Sequence, residues 1–333
     1  MNLLIQILIV LFFLSGSTFS QSNETLQRYE YSHKSMGTIF RIICYTNQKE
    51  IAKQTSEKAF KRIDQLNYIM SDYLPDSELN RLSRNSGSGE YIQVSTDLYV
   101  ILKLGQQWAL KTNGIFDVTI GPYSQLWRRA GRMEMLPDSD QIKKASESVG
   151  YKYILIDAEN SAVKLRKERM QLDLGGIAKG FTVDEIYNLF VNSGIEKVLV
   201  DGGGDIRVGD PPPGKNGWKI VLENLKEDNQ VLYISNASIA TSGDLYRYIL
   251  IDSVKYGHII DPRTGYGLTT PRTVTVQASN CTEADVLAST ISILGAKDGF
   301  RFLADIPHVK AIVVEEEKGK VRRYIHGSFD FIK

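Results

Sequence analysis

The segment Asp173-Leu174-Gly175-Gly176-Ile177-Ala178-Lys179-Gly180 places the narrowest constraint on this chain, because its glycines fall between strand-like residues and a helical pattern running from about Lys179 to Asn192. Glycine lets a backbone approach a ligand closely, and the start of a helix favours negative charge such as phosphate. The segment lacks the Lys-Ser/Thr ending of a phosphate-cradling Walker loop, and its glycine spacing is not that of a dinucleotide fingerprint. A plain strand-to-helix turn could use the same residues.

The surrounding pattern is mixed. Residues 37–45 read as a strand after a polar stretch ending near Tyr31, and apolar residues recur at helical spacing from Lys49 to Met70 and from Thr96 to Lys111. Short strand-like pieces follow at 152–156, 162–165, 197–200, 218–222 and 231–234, then strands at 273–277 and 310–314 around a helix over 282–294. Interleaved helices and short antiparallel pieces predict an α+β fold in one domain. With 42% hydrophobic residues the chain can bury a large core, and a net charge of +1 supplies no global field for nucleic acid, so no nucleic-acid partner is expected.

The N-terminus is a near-continuous apolar run to Leu14 followed by small and polar residues to Gln21. Leu3 to Leu14 is short for a hydrocarbon core of roughly 30 Å, so residues 1–20 are expected to be a signal peptide and 21–333 the exported domain, with an uncleaved anchor as the alternative. The two cysteines, Cys44 and Cys281, lie far from that junction, so no lipid anchor is expected and the mature chain is expected to be soluble; they are either a disulfide or two buried thiols.

Further segments carry candidate chemistry. Asp201-Gly202-Gly203-Gly204-Asp205 suits a sharp turn, contact with a flat ligand, or a plain β-bulge. His258 stands at the end of a strand-like run, before the turn Asp261-Pro262-Arg263-Thr264-Gly265, where an imidazole can serve as a base or merely cap the turn. Asp285 and Ser289 are four apart and share a helix face, as oxygen ligands for a hard cation or as a solvated pair. Met36-Gly37-Thr38, Tyr73 and the run from Gly114 to Pro122 complete the set.

In this order the segments MGT, SDY, FDVTIGP, DLGGIAKG, GGGD, ATSG, HIIDPRTG and AD with a hydroxyl four residues later closely resemble the FAD:protein FMN transferase (ApbE-like) family, from about Ser35 to Gly295. The resemblance implies an α+β, T-fold-related catalytic domain with two lobes and a deep FAD cleft. It implies Mg²⁺ held by the Gly176 carbonyl, Asp285 and Ser289, the last being Thr in most of the family. It further implies FAD contacts from Met36, Tyr73, Ile115, Phe116, Asp117, Asp173, Lys179 and Ile259. The implied reaction moves FMN from FAD onto a Thr or Ser hydroxyl of an acceptor, with His258 as base; implied acceptors are exported subunits of membrane redox pumps, on the periplasmic side of the inner membrane. A Mg²⁺-dependent FAD pyrophosphatase and a flavin-binding protein without turnover are the alternatives.

Overall fold

A computed structural model describes residues 25–222, 230–243, 248–317, 319–329 and 331–332; the expected signal peptide lies outside the described residues. Seven α-helices are described: α1 (Lys49–Met70), α2 (Glu78–Arg84), α3 (Thr96–Lys111), α4 (Gly121–Met133), α5 (Ser139–Ser146), α6 (Ala178–Asn192) and α7 (Cys281–Leu303). Among the described residues no helix is long and apolar enough to cross a membrane.

The main sheet has eight strands. In spatial order they are Gln27–Ser35, Thr38–Thr46, Val198–Gly202, Ile206–Val208, Ala237–Gly243, Arg272–Ala278, Lys310–Glu317 and Lys320–His326, each antiparallel to its neighbour. Its two faces are both covered, which is why Val198-Leu199-Val200 is an unbroken apolar run. Val198 and Val200 pack with Phe40, Ile42, Ile63 and Ile186 under α1 and α6, whereas Leu199 packs with Trp218, Leu232 and Ile312. That second layer is a three-stranded sheet of Trp218–Leu222, Gln230–Ile234 and Phe331–Ile332. A third small sheet, Ile92–Gln93, Ala162–Leu165 and Ile154–Asp157, shares a core with α2, α3 and α7 through Leu82, Leu102, Val163 and Leu287.

Several boundaries differ from the sequence expectation. The stretch before Tyr31 is not a polar lead-in, because Gln27–Ser35 forms a hairpin with Thr38–Thr46, and charged residues on its exposed side are the usual guard of an edge strand. The last long helix continues beyond 294 to Leu303 across a non-helical Gly295 with φ of 78°. Cys44 and Cys281 are buried thiols in one apolar cluster and form no disulfide. Burial pushes the Cys44 thiol up to about 11.

Candidate functional site

The glycine turn folds by its own side chains. The Gly175 amide donates to Asp173 Oδ1 at 2.9 Å, closing an Asx turn, while Leu174 and Ile177 are buried below it. The Asp173 amide donates to the Val118 carbonyl at 2.8 Å, so the FDVTIGP segment lies alongside the turn. Phe116 comes within 3.1 Å of the place a Cβ on Gly176 would occupy.

The turn leads straight into α6, and α6 packs on α7. One residue fixes that crossing: Asp184 of α6 accepts from the amides of Cys281 and Thr282 at 2.9 and 2.8 Å, and from the Thr282 hydroxyl at 2.6 Å. Four N–H groups at a helix start have no partner within the helix, so these bonds tie the start of α7 to the flank of α6. The consequence is close approach. The Gly180 amide donates to Asp285 Oδ2 at 3.1 Å, and a Cβ on Gly180 would meet the Cys281 carbonyl at 2.5 Å. A Cβ on Gly176 would lie 3.2 Å from Ser289 Oγ. Gly176 of the turn therefore lies beside Ser289, and Gly180, one helical turn on, lies beside Asp285.

Lys179 bonds Asp205 and stands 3.9 Å from Asp285 Oδ2, so one ammonium faces two carboxylates whose side chains are 2% and 7% exposed. Burial and the neighbouring Asp285 push the Asp205 carboxyl up to about 7, against the pull of Lys179. Burial alone would lower the Lys179 ammonium, but the two aspartates outweigh it and hold it above the ordinary lysine range. Asp205 arrives from the GGGD segment, which turns through Gly203 and Gly204 with φ of 77° and 97°. Thr38 of the MGT hairpin sits where a Cβ on Gly203 would fall, and the Thr182 hydroxyl of α6 contacts Met36 Sδ at 3.6 Å. Three glycine-bearing turns thus converge on the start of α6.

The donor set fits a small hard cation. Asp285 supplies a carboxylate and Ser289 a hydroxyl beside the Gly176 backbone, whose carbonyl is a third oxygen. Among the described residues no cluster of His, Cys, Asp and Glu could hold a metal by side chains of those types alone.

Asp173 also faces away from the turn. Its Oδ2 accepts from Ser124 Oγ at 2.6 Å and lies 3.7 Å from Arg128, both on α4. Arg128 bonds Asp72, and its guanidinium carbon is 3.9 Å from the centroid of the Tyr73 ring, which is 74% exposed. Burial and the Asp173 charge push the Asp72 carboxyl up to about 6, with Arg128 opposing. A polar groove of about 810 Å³ opens beside Asp72 and Tyr73, lined also by Asn80, Arg84 and Gln171.

Asp117 is buried and internally satisfied. Its oxygens accept from the Thr119 amide and hydroxyl at 2.8 and 2.7 Å and from the Tyr151 amide at 2.8 Å, so its side chain shapes the loop that presents Ile115 and Phe116. Burial pushes its carboxyl up, and those bonds oppose the shift.

His258 is exposed and follows the strand Val254–Gly257, with Ile259 half-buried beside it. The loop returns on itself: Leu268 donates to the Ile259 carbonyl at 3.0 Å and Gly265 to that of Asp261 at 2.8 Å. Trp127 Nε1 donates to the Gly265 carbonyl at 2.7 Å, which seats this hairpin on α4, the helix that bears Ser124 and Arg128. Sequence reasoning missed Ser124, Arg128 and Asp184 altogether and gave Asp72, inside SDY, and Asp205 no role. Only Asp205 carried a local signal, the three glycines before it.

A glycine-rich turn at the start of α6, a half-buried lysine held between two aspartates, and carboxylate and hydroxyl oxygens of α7 beside it define the candidate site of this α+β protein. Residues 36–313 match the model of the ApbE family, and the chain belongs to that family. It is 28% identical over 312 residues to the FAD:protein FMN transferase of Vibrio cholerae serotype O1, covering 91% of this chain and 92% of that one. Among solved structures, a histidine-to-glycine variant of the flavin transferase ApbE from Vibrio cholerae superposes with TM-score 0.81 at 28% identity, covering 90% of this chain and 97% of the other. The ApbE protein of Thermotoga maritima gives TM-score 0.80 at 31% identity, with coverage of 89% and 97%.

Proposed function

We propose that the protein is an exported, Mg²⁺-dependent enzyme that moves the FMN half of FAD onto a Thr or Ser hydroxyl of an acceptor protein and releases AMP. The single observation that carries the reading is the close approach of Gly176 to Ser289 and of Gly180 to Asp285, which brings hydroxyl and carboxylate oxygens of α7 to the glycine turn at the start of α6. The relatives' names, FAD:protein FMN transferase and flavin transferase, supply the substrate class.

In this reading the Gly176 carbonyl, Asp285 and Ser289 would hold Mg²⁺, which would supply positive charge against the diphosphate, as phosphoryl transfer requires. Lys179 and the amides at the start of α6 face the phosphates, held in place by Asp205 and by the packing of α6 on α7. Tyr73 offers its ring to the isoalloxazine, and Asp173, Met36, Ile115, Phe116, Asp117 and Ile259 shape the crevice. The acceptor oxygen forms a bond to the FMN-side phosphorus, the bond to the bridging oxygen breaks, AMP leaves, and His258 takes the hydroxyl proton. Most of the work is positioning. The acceptor class is exported subunits of membrane redox pumps and related flavoproteins.

Incubation with FAD and Mg²⁺, with and without an exported acceptor domain, tests the reading. AMP together with a flavin-bearing acceptor is the expected result. AMP with free FMN alone would make the protein a pyrophosphatase, and unchanged FAD would leave it a binding protein.

A further inference from the structure

We propose that Arg128 is a positioning residue of the flavin site: it backs the Tyr73 ring as a stacking platform and ties that platform to the glycine turn through Asp173. The inference rests on the flavin reading above and deepens it.

An exposed tyrosine is ordinarily free to change rotamer, and ordering it on binding weakens the complex. Tyr73 is not in that position. The Arg128 guanidinium covers one ring face at 3.9 Å, well inside the range of a cation–π contact, while Tyr73 as a whole remains 74% exposed. The other face is left for a flat aromatic ligand. The same guanidinium bonds Asp72, the residue before Tyr73, so backbone and ring are held from one point.

The second link runs to the turn. Arg128 lies 3.7 Å from Asp173 Oδ2, and Ser124, four residues earlier on the same face of α4, donates to that oxygen at 2.6 Å. Asp173 in turn closes the Asx turn at Gly175. One helix face therefore ties the aromatic platform to the segment proposed to hold the phosphates, the two ends of the ribityl arm of a flavin dinucleotide. Lysine could balance the charge but lacks the planar fork that stacks and bonds at once. Asp173 keeps its bonds from Ser124 and Gly175 if Arg128 is lost, so the turn survives while the platform loosens.

Stopped-flow titrations of FAD and of ADP, read before turnover with Mg²⁺ present, distinguish this role from a general structural one. Arg128→Gln should weaken FAD roughly 3- to 30-fold, the scale of a cation–π contact, and leave ADP, which has no flavin ring, unchanged. Arg128→Lys should recover little. In a Tyr73→Leu background the Arg128 effect should vanish. If Arg128→Gln alone unfolds the protein, the pair Asp72→Asn with Arg128→Gln removes the stranded carboxylate and carries the same expectations. Equal losses for FAD and ADP, an unchanged FAD affinity, or an Arg128 effect that persists without Tyr73 would each overturn the proposal. A wild-type protein that does not bind FAD would instead contradict the functional reading itself.

Discussion

Gly180→Ala puts one methyl group at the contact on which the site depends. The added Cβ would meet the Cys281 carbonyl oxygen at 2.5 Å and Asp285 Cβ at 2.9 Å. Carbon–oxygen contacts close no nearer than about 3.3 Å, so α6 and α7 must part locally by about 0.8 Å. Both obstacles are backbone or the root of a side chain, so no rotamer change relieves them. Overpacking of this kind costs about 1–3 kcal/mol, and the better helix propensity of alanine returns about 1 kcal/mol, leaving a net loss of up to about 2 kcal/mol in urea unfolding. The effect on function should exceed that on stability. The Gly180 amide would draw away from Asp285, and a shift near 1 Å in a positioning site costs about 100-fold in rate. AMP release measured at saturating FAD reads it directly. A variant with normal turnover and unchanged or raised stability would refute the claim that this contact builds the site.

Other outcomes are equally open to measurement. His258→Ala should bind FAD normally yet transfer about 10² to 10⁴ times more slowly, and wild-type single-turnover rates would remove it as the base. Asp285→Asn should make FAD affinity indifferent to Mg²⁺ in titrations with and without the ion; a persisting Mg²⁺ effect would place the cation elsewhere. The Asp72 carboxyl, pushed up to about 6 by burial and by Asp173, holds its proton more tightly in the folded protein than in the unfolded chain. Its contribution is therefore full below about pH 4 and lost as pH rises through about 6, on the order of 3 kcal/mol. Unfolding of wild type and Asp72→Asn compared across that window should show this loss in wild type alone, and parallel curves would contradict it.

What could be read from sequence was what repeats locally. The helices Lys49–Met70 and Thr96–Lys111 have the expected bounds because their apolar positions recur every three or four residues, and Asp285 and Ser289 share a face because helical spacing requires it. The first strand was missed because Tyr29, Tyr31 and His33 alternate with Arg28, Glu30, Ser32 and Lys34 at an edge, a pattern that resembles a polar lead-in. Helix α4 is hidden behind Gly121-Pro122, a pair that signals a turn although proline suits the first positions of a helix. With α4 unseen, Ser124 and Arg128 had no visible role, since Arg128 reaches Asp72 across 56 residues and Ser124 reaches Asp173 across 49. Asp184 was invisible for the same reason: its partners lie 97 and 98 residues away, and only the packing of α6 on α7 makes it a cap.

The most direct test of the account is a crystal structure of the protein with FAD and Mg²⁺. The account predicts a cation about 2.1 Å from the Gly176 carbonyl, an Asp285 carboxylate oxygen and Ser289 Oγ, bridging to the FAD diphosphate at the start of α6. A diphosphate bound away from that turn, or a cation ligated by other residues, would contradict it.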